Sequence, residues 1–172
     1  LDAQSKRIVA ILERSTHHMS SMVSQLLDVT RVRQSGQFPV TLVQTNIGEL
    51  AEQAVAAASS SDPSARFLVD IRTDVSCQAD ATAVRQALGN LLGNAVRHGD
   101  MTRPVDVEIT RDGGHIAIEV RNFGAPIPPD KVATLFEPFT QAGDDKTRRG
   151  KGLGLGLYIT HEIAKAHGGS LQ

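Results

Sequence analysis

Aromatic residues are scarce: Trp is absent, Tyr occurs once, and aromatic side chains make up 3% of the 172 residues. A chain this poor in aromatics offers no platform on which nucleic-acid bases could stack. It also lacks a surplus of charge, with 18 basic against 19 acidic side chains and a formal net charge of -1. Binding to a phosphate backbone relies on such a surplus, so nucleic acid is not an expected partner. The single cysteine, Cys77, excludes an intramolecular disulfide and a Cys-rich zinc site. It fits a reducing compartment, and the expected location is cytoplasmic. No apolar run approaches the ~18 residues that span a bilayer, and the first residues do not form a secretory signal, so no membrane contact is expected of this chain. What remains is a globular composition, 40% hydrophobic and 22% charged. The length suits one domain of roughly 100–150 residues plus an additional element.

The stretch from Leu1 to about Gln34 contains neither Gly nor Pro and reads as one long helix. Ile8, Leu12, Met19, Met22, Leu26 and Val29 follow a 4-3-4-3 spacing, the seam of a coiled coil or antiparallel helix pair, with Ser15 at its one polar position. Such a stripe needs a partner helix, and Ser35-Gly36 supplies the stop. Beyond it the pattern predicts a strand over Phe38–Val43 and a helix from Ile47 to about Ala58 behind an Asn46 cap. Ser59 to Pro63 reads as a loop, Phe67–Ile71 as a strand, and Ala81–His98 as a helix capped by Asp80. Val105–Ile109 and Ile116–Val120 alternate strictly around an Asp112-Gly113-Gly114 turn, a hairpin. A Pro-rich loop then leads to a short helix over Asp130–Phe136. A last helix is expected over about Leu153–His167, ending at Gly168-Gly169, with Ser170-Leu171-Gln172 resembling the opening of another strand. These elements predict an α/β sandwich, a mixed and mostly antiparallel sheet covered on one face by helices.

Three clusters carry chemistry. On the 81–98 helix, Val84, Leu88, Leu91, Leu92 and Ala95 form an apolar face bordered by Asn90, Asn94, Arg97 and His98, the pattern of a cleft edge. Asn is a poor helix-interior residue, so two of them one turn apart ask for a reason. Hydrogen bonds to loops would suffice; so would a hard, neutral oxygen ligand for Mg²⁺. The second cluster, Gly150 to Gly156, has four glycines at alternate positions ahead of an apolar helix, with Lys146, Arg148 and Arg149 before it. That combination suits close backbone approach to a phosphate. It is neither a Walker A loop nor a dinucleotide fingerprint, since no Gly-Lys-Ser/Thr ends it and no strand precedes it. The third cluster is Asn122 in Arg121-Asn122-Phe123-Gly124, where a strand leaves the sheet and a carboxamide oxygen could accept from an exocyclic amine such as adenine's.

In order, Asn90-Leu-Leu-Gly-Asn94-Ala-Val-Arg97-His98, Asn122-Phe-Gly124-Ala-Pro-Ile127-Pro, Leu135-Phe136-Glu-Pro-Phe139 and Gly152-Leu153-Gly154-Leu155-Gly156-Leu-Tyr-Ile resemble the N, G1, F and G2 boxes of sensor histidine kinases. The resemblance covers about Phe38 to Leu171, and Gln25-Leu-Leu-Asp-Val29 resembles the second helix of that family's dimerisation and phosphotransfer hairpin. It implies a Bergerat-type ATP-binding fold with two parts: residues 1–36 as that second helix, the first being absent, and 37–172 as the catalytic domain, truncated at its C-terminus. By the same resemblance, Asn94 would hold Mg²⁺ on the ATP phosphates and Asn90 would support the phosphate end, with Arg97 and His98 beside them. Asn122 would meet the adenine amine, Gly124 would let the base approach, and Ile127 would pack on the ring. Phe136 and Phe139 would anchor a lid carrying Lys146, Arg148 and Arg149, while Gly152, Leu153, Gly154, Leu155 and Gly156 would wrap the phosphates. The implied partners are a response-regulator receiver domain and a second copy in the full-length protein.

Two positions depart from the family pattern. Asn122 stands where the box usually has Asp, which implies weaker nucleotide binding. No His is followed by the acidic residue and Pro of a phosphoacceptor box; His17 and His18 precede Met19-Ser20-Ser21-Met22 and read as surface or interface residues. His115, His161 and His167 are likewise expected at the surface. Gyrase-like and mismatch-repair ATPases carry a water-activating Glu where this chain has Asn90, so slow hydrolysis is expected. A catalytically degenerate nucleotide-binding or dimerisation module is the alternative reading.

Overall fold

A computed structural model describes residues 2–72, 74–140 and 152–172, apart from the side chains of residues 3, 6, 7, 10, 13, 14, 17 and 18. Helix α1 (Ala3–Ser35) begins where the Asp2 carboxylate accepts from the Ser5 amide at 2.7 Å. It ends at Gly36, whose φ of 79° is left-handed and whose N–H returns to the Val32 carbonyl at 2.8 Å. Most of the predicted stripe is uncovered: Ile8, Leu12, Met19 and Leu26 are exposed. Only its end is buried, where Val29 and Val32 join Phe38, Ala83, Leu155, Ile159 and Ile163 in one cluster. There the buried Asp28 accepts a hydrogen bond from Gln86 Nε2 at 2.7 Å.

The strands form two ladders. β1 (Val43–Asn46) pairs antiparallel with β3 (Ser76–Ala79), Val43 lying opposite Ala79. β4 (Val105–Asp112) is the centre of the other, parallel to β2 (Phe67–Ile71) and antiparallel to β5 (His115–Arg121). Strict alternation along β4 aims Val105, Val107 and Ile109 at the core. They meet Ile47, Leu50 and Ala51 of α2 (Ile47–Ser61) and Leu88, Leu92 and Ala95 of α3 (Ala81–His98). Each fully buried Leu or Ile in this layer contributes roughly 2 kcal/mol from apolar burial. The opposite face carries charge, with Arg121 on Glu119 at 2.6 Å and on Glu108 at 3.3 Å. Among the described residues the other helices are α4 (Pro129–Val132) and α5 (Gly156–Ala166).

Several boundaries differ from expectation. Phe38 is buried in the α1–α5 cluster and no strand forms before Val43, because the ladder partner, β3, reaches only Val43–Asn46. α2 continues to Ser61, its last turn closed by the Asp62 amide on the Ala58 carbonyl at 2.9 Å, while the Ser60 and Ser61 hydroxyls bond back to the Ala56 and Ala57 carbonyls. The helix expected over Asp130–Phe136 stops at Val132 and continues as turns. α5 begins at Gly156, not Leu153, because Gly154 takes a left-handed φ of 69°. Ser170, Leu171 and Gln172 pair with no strand among the described residues.

Candidate functional site

The site is built on the second half of α3. Asp80 starts that helix, its Oδ1 accepting from the Thr82 amide at 2.9 Å and the Ala83 amide at 3.0 Å. Its Oδ2 accepts from the Thr41 amide at 2.8 Å. These amides, Ala83 first and Thr41 next, hold the Asp80 carboxyl below the usual carboxylate range. With Leu88, Leu92 and Ala95 buried, Asn90 and Asn94 are left half-buried at the border, and Arg97 and His98 are exposed beyond them.

Three alternate glycines leading into α5, the last of them its first residue, each meet a different partner. A Cβ on Gly152 would lie 2.9 Å from Arg97 Nη1. One on Gly154 would lie 2.5 Å from the Thr140 carbonyl, and the Phe139 amide donates to the Gly154 carbonyl at 3.1 Å. One on Gly156 would touch Asn90 Cγ and Oδ1 at 3.5 Å. The Asn90 carboxamide nitrogen donates to the Gly156 carbonyl at 3.1 Å and to Thr160 Oγ1 at 3.4 Å. No side chain caps α5, whose N-cap is Leu155. Leu155 is fully buried and Leu153 packs on the same cluster, so both can offer a ligand only backbone.

The Asn122 loop closes the other end. A Cβ on Gly124 would lie 2.6 Å from the His98 carbonyl, and the Asp100 amide donates to the Phe123 carbonyl. Gly124 is therefore required by backbone approach to α3, a demand separate from any bound base. Asn122 is exposed, its Nδ2 3.5 Å from where a Cβ of Gly99 would stand. Arg103 lies 3.2 Å above the Phe123 ring centroid, a cation–π contact. Asp100 accepts from the Thr102 amide at 2.9 Å and its hydroxyl at 2.7 Å, which hold its carboxyl low. Ile127 is 49% exposed.

Phe136 stacks on His161, ring centroids 5.5 Å apart, while Phe139 is exposed and holds a φ of 66°. The surface role expected for His161 and His167 does not hold. His161 is half-buried under Phe136, and His167 Nε2 accepts the Asp80 amide at 3.0 Å while its Nδ1 lies 2.8 Å from the Ile163 carbonyl. His115 is exposed, as expected. Lys146, Arg148 and Arg149 lie outside the described residues, as do the side chains of His17 and His18.

The fold thus joins Asn90 to Gly156, Arg97 to Gly152, Phe139 to Gly154, and the Asn122 loop to His98. Sequence reasoning missed Gly99, Arg103 and Thr160; the one available signal was the spacing of Thr160, one helical turn after Gly156. Among the described residues no His, Cys, Asp and Glu cluster could hold a metal. The donor set is the carboxamide pair Asn90 and Asn94. It fits Mg²⁺, which accepts a few hard protein oxygens while phosphate and water fill its other positions.

Residues 79–172 match the family described as histidine kinase-, DNA gyrase B-, and HSP90-like ATPase. The chain belongs to this ATPase family. A bacteriophytochrome of Pseudomonas aeruginosa is 33% identical over 171 residues, 99% of this chain and 24% of that protein. The sensor histidine kinase GlrK of Escherichia coli is 30% identical over 172 residues, 99% of this chain and 36% of that protein. The chain therefore spans about a quarter to a third of the length of these relatives. Full-length ShkA, solved in complex with AMPPNP, superposes with a TM-score of 0.72 at 28% identity, covering 98% of this chain and 35% of that one. Both the α/β sandwich and the preceding helix are thus shared with that solved structure. No described helix is long and apolar enough to cross a membrane.

Proposed function

We propose that the chain is the ATP-binding catalytic part of a two-component sensor histidine kinase. Residues 1–36 would be the second helix of the dimerisation and phosphotransfer hairpin and 37–172 the nucleotide-binding domain. The observation that carries this reading is the meeting of the Gly152–Gly156 run with Arg97, Phe139 and Asn90. Backbone, cation and carboxamide oxygen converge there, as a triphosphate requires.

Phosphoryl transfer asks a protein mainly for positioning and charge neutralisation. The start of α5, which no side chain caps, presents amides to phosphate oxygens. Arg97 beside Gly152 adds positive charge. Asn94, with Asn90 one turn earlier, would hold Mg²⁺, whose chemistry when bound is to neutralise the phosphates. Asn122 accepts from the adenine amine, and Ile127 gives the ring an apolar face. Asn90 has no basicity, so water is not activated and ATP is saved for transfer. The acceptor would be a histidine on the hairpin's first helix, and the phosphohistidine would supply a receiver-domain aspartate, the full protein acting as a homodimer.

Calorimetric titration with a non-hydrolysable ATP analogue, with and without Mg²⁺, tests the reading beside Asn94→Ala. Mg²⁺-dependent binding that the variant loses is expected. No binding in any sample would overturn it in favour of the degenerate module, to which the neutral Asn122 would then belong.

A further inference from the structure

The Asn90 carboxamide is held one way round. Its nitrogen lies 3.1 Å from the Gly156 carbonyl, which can only accept, so that face must carry the N–H groups. The second contact is with Thr160 Oγ1 at 3.4 Å. That hydroxyl donates its own proton to the Gly156 carbonyl at 2.8 Å and is therefore left to Asn90 as an acceptor. Thr160 is 3% exposed and lies one turn into α5, so its hydroxyl has no bulk water to turn towards. The Asn90 oxygen is engaged by no described residue, and at Gly156 no side chain covers it, although a Cβ there would touch it at 3.5 Å.

We propose that Thr160 is a positioning residue for the nucleotide site, fixing the Asn90 carboxamide with nitrogen towards α5 and oxygen towards the phosphate-bound Mg²⁺. The inference rests on the ATP-site reading above and assigns a role to a residue outside the four boxes. Valine at this position keeps the branched shape and burial but has no acceptor. The amide then keeps one contact in place of two, and its oxygen is free to rotate out of register. Serine keeps the hydroxyl and loses only a methyl group.

The test compares wild type, Thr160→Val and Thr160→Ser by two measurements. The first is calorimetric affinity for a non-hydrolysable ATP analogue with and without Mg²⁺. Thr160→Val should lower the Mg²⁺-dependent affinity about three- to tenfold, the range one net hydrogen bond carries, and leave Mg²⁺-free binding unchanged. Thr160→Ser should restore most of it. The second is the side-chain amide resonance pair of Asn90 in nucleotide-free protein, which should shift in the valine variant and not in the serine one. A valine variant that folds and matches wild type in both measurements overturns the inference. So does an equal loss with and without Mg²⁺, which would mark a merely structural residue. Absence of nucleotide binding by the wild type overturns the site reading itself, and this inference with it.

Discussion

The His98 carbonyl stands 2.6 Å from where a Cβ on Gly124 would be, so the loop that carries Asn122 and the end of α3 touch backbone to backbone. Neither side can yield cheaply. The carbonyl belongs to the last residue of an 18-residue helix, and the loop is tied down by the Asp100 to Phe123 hydrogen bond. Gly124→Ala is therefore expected to destabilise the protein by about 1–3 kcal/mol, the range for overpacking. Gly89→Ala makes the contrast, since nothing lies within 4 Å of that Cβ. It should stabilise α3 by up to ~1 kcal/mol. Urea midpoints of the two variants check both signs; a neutral Gly124→Ala would refute the close approach.

Asn122 offers adenine a neutral acceptor from an exposed position at the loop. Charge-assisted hydrogen bonds exceed neutral ones by about 1 kcal/mol, so Asn122→Asp should tighten nucleotide binding by about fivefold. Titration of both proteins with the same analogue decides it. Equal affinities would mean that the side chain does not touch the base.

Helix α3 was legible from end to end, because its signals are local: an Asp cap and an apolar stripe at helical spacing. β3 was not, since Ser76-Cys77-Gln78-Ala79 is four residues long and holds no β-branched or aromatic side chain. That strand exists through its partner, the Thr45 hydroxyl reaching the Ala79 carbonyl at 2.9 Å. The glycines announced close approach but not its object. That Gly154 meets the Phe139–Thr140 backbone, and that Thr160 reaches Asn90 across 70 residues, are properties of the folded chain alone.

Asp80 joins three segments, accepting from Thr41, Thr82 and Ala83 through its side chain while its amide donates to His167. Its carboxyl is held below the ordinary 3.8, first by the Ala83 amide and then by that of Thr41. A depressed folded-state pKa means that the stabilisation is whole above the unfolded-state value and disappears as pH falls through the folded one. Stability should therefore decline below about pH 4. Asp80→Asn keeps one capping oxygen, loses the Thr41 contact and removes this part of the acid dependence; Asp80→Ala should cost about 1 kcal/mol at neutral pH. Thermal melts from pH 2 to pH 7 would reveal it, and an unchanged acid slope in Asp80→Asn would count against the assignment.

The contact between Gln86 and Asp28 ties α1 to α3 at 2.7 Å, and Asp28 is only 5% exposed. Its other partner, Arg31, is 3.5 Å away with a largely exposed side chain. Removing Gln86 thus leaves a buried carboxylate nearly unsupported, which is worse than having no polar pair. Gln86→Leu should cost about 1–3 kcal/mol. The loss should concentrate where Val29 and Val32 dock, seen as faster amide exchange over residues 28–33 with the exchange of β4 unchanged. Adding Asp28→Leu removes the orphaned charge, and the double variant should regain most of that stability. If the double variant is no more stable than Gln86→Leu alone, the cost lies in lost packing, and the polar contact contributes nothing to holding the helix on the domain.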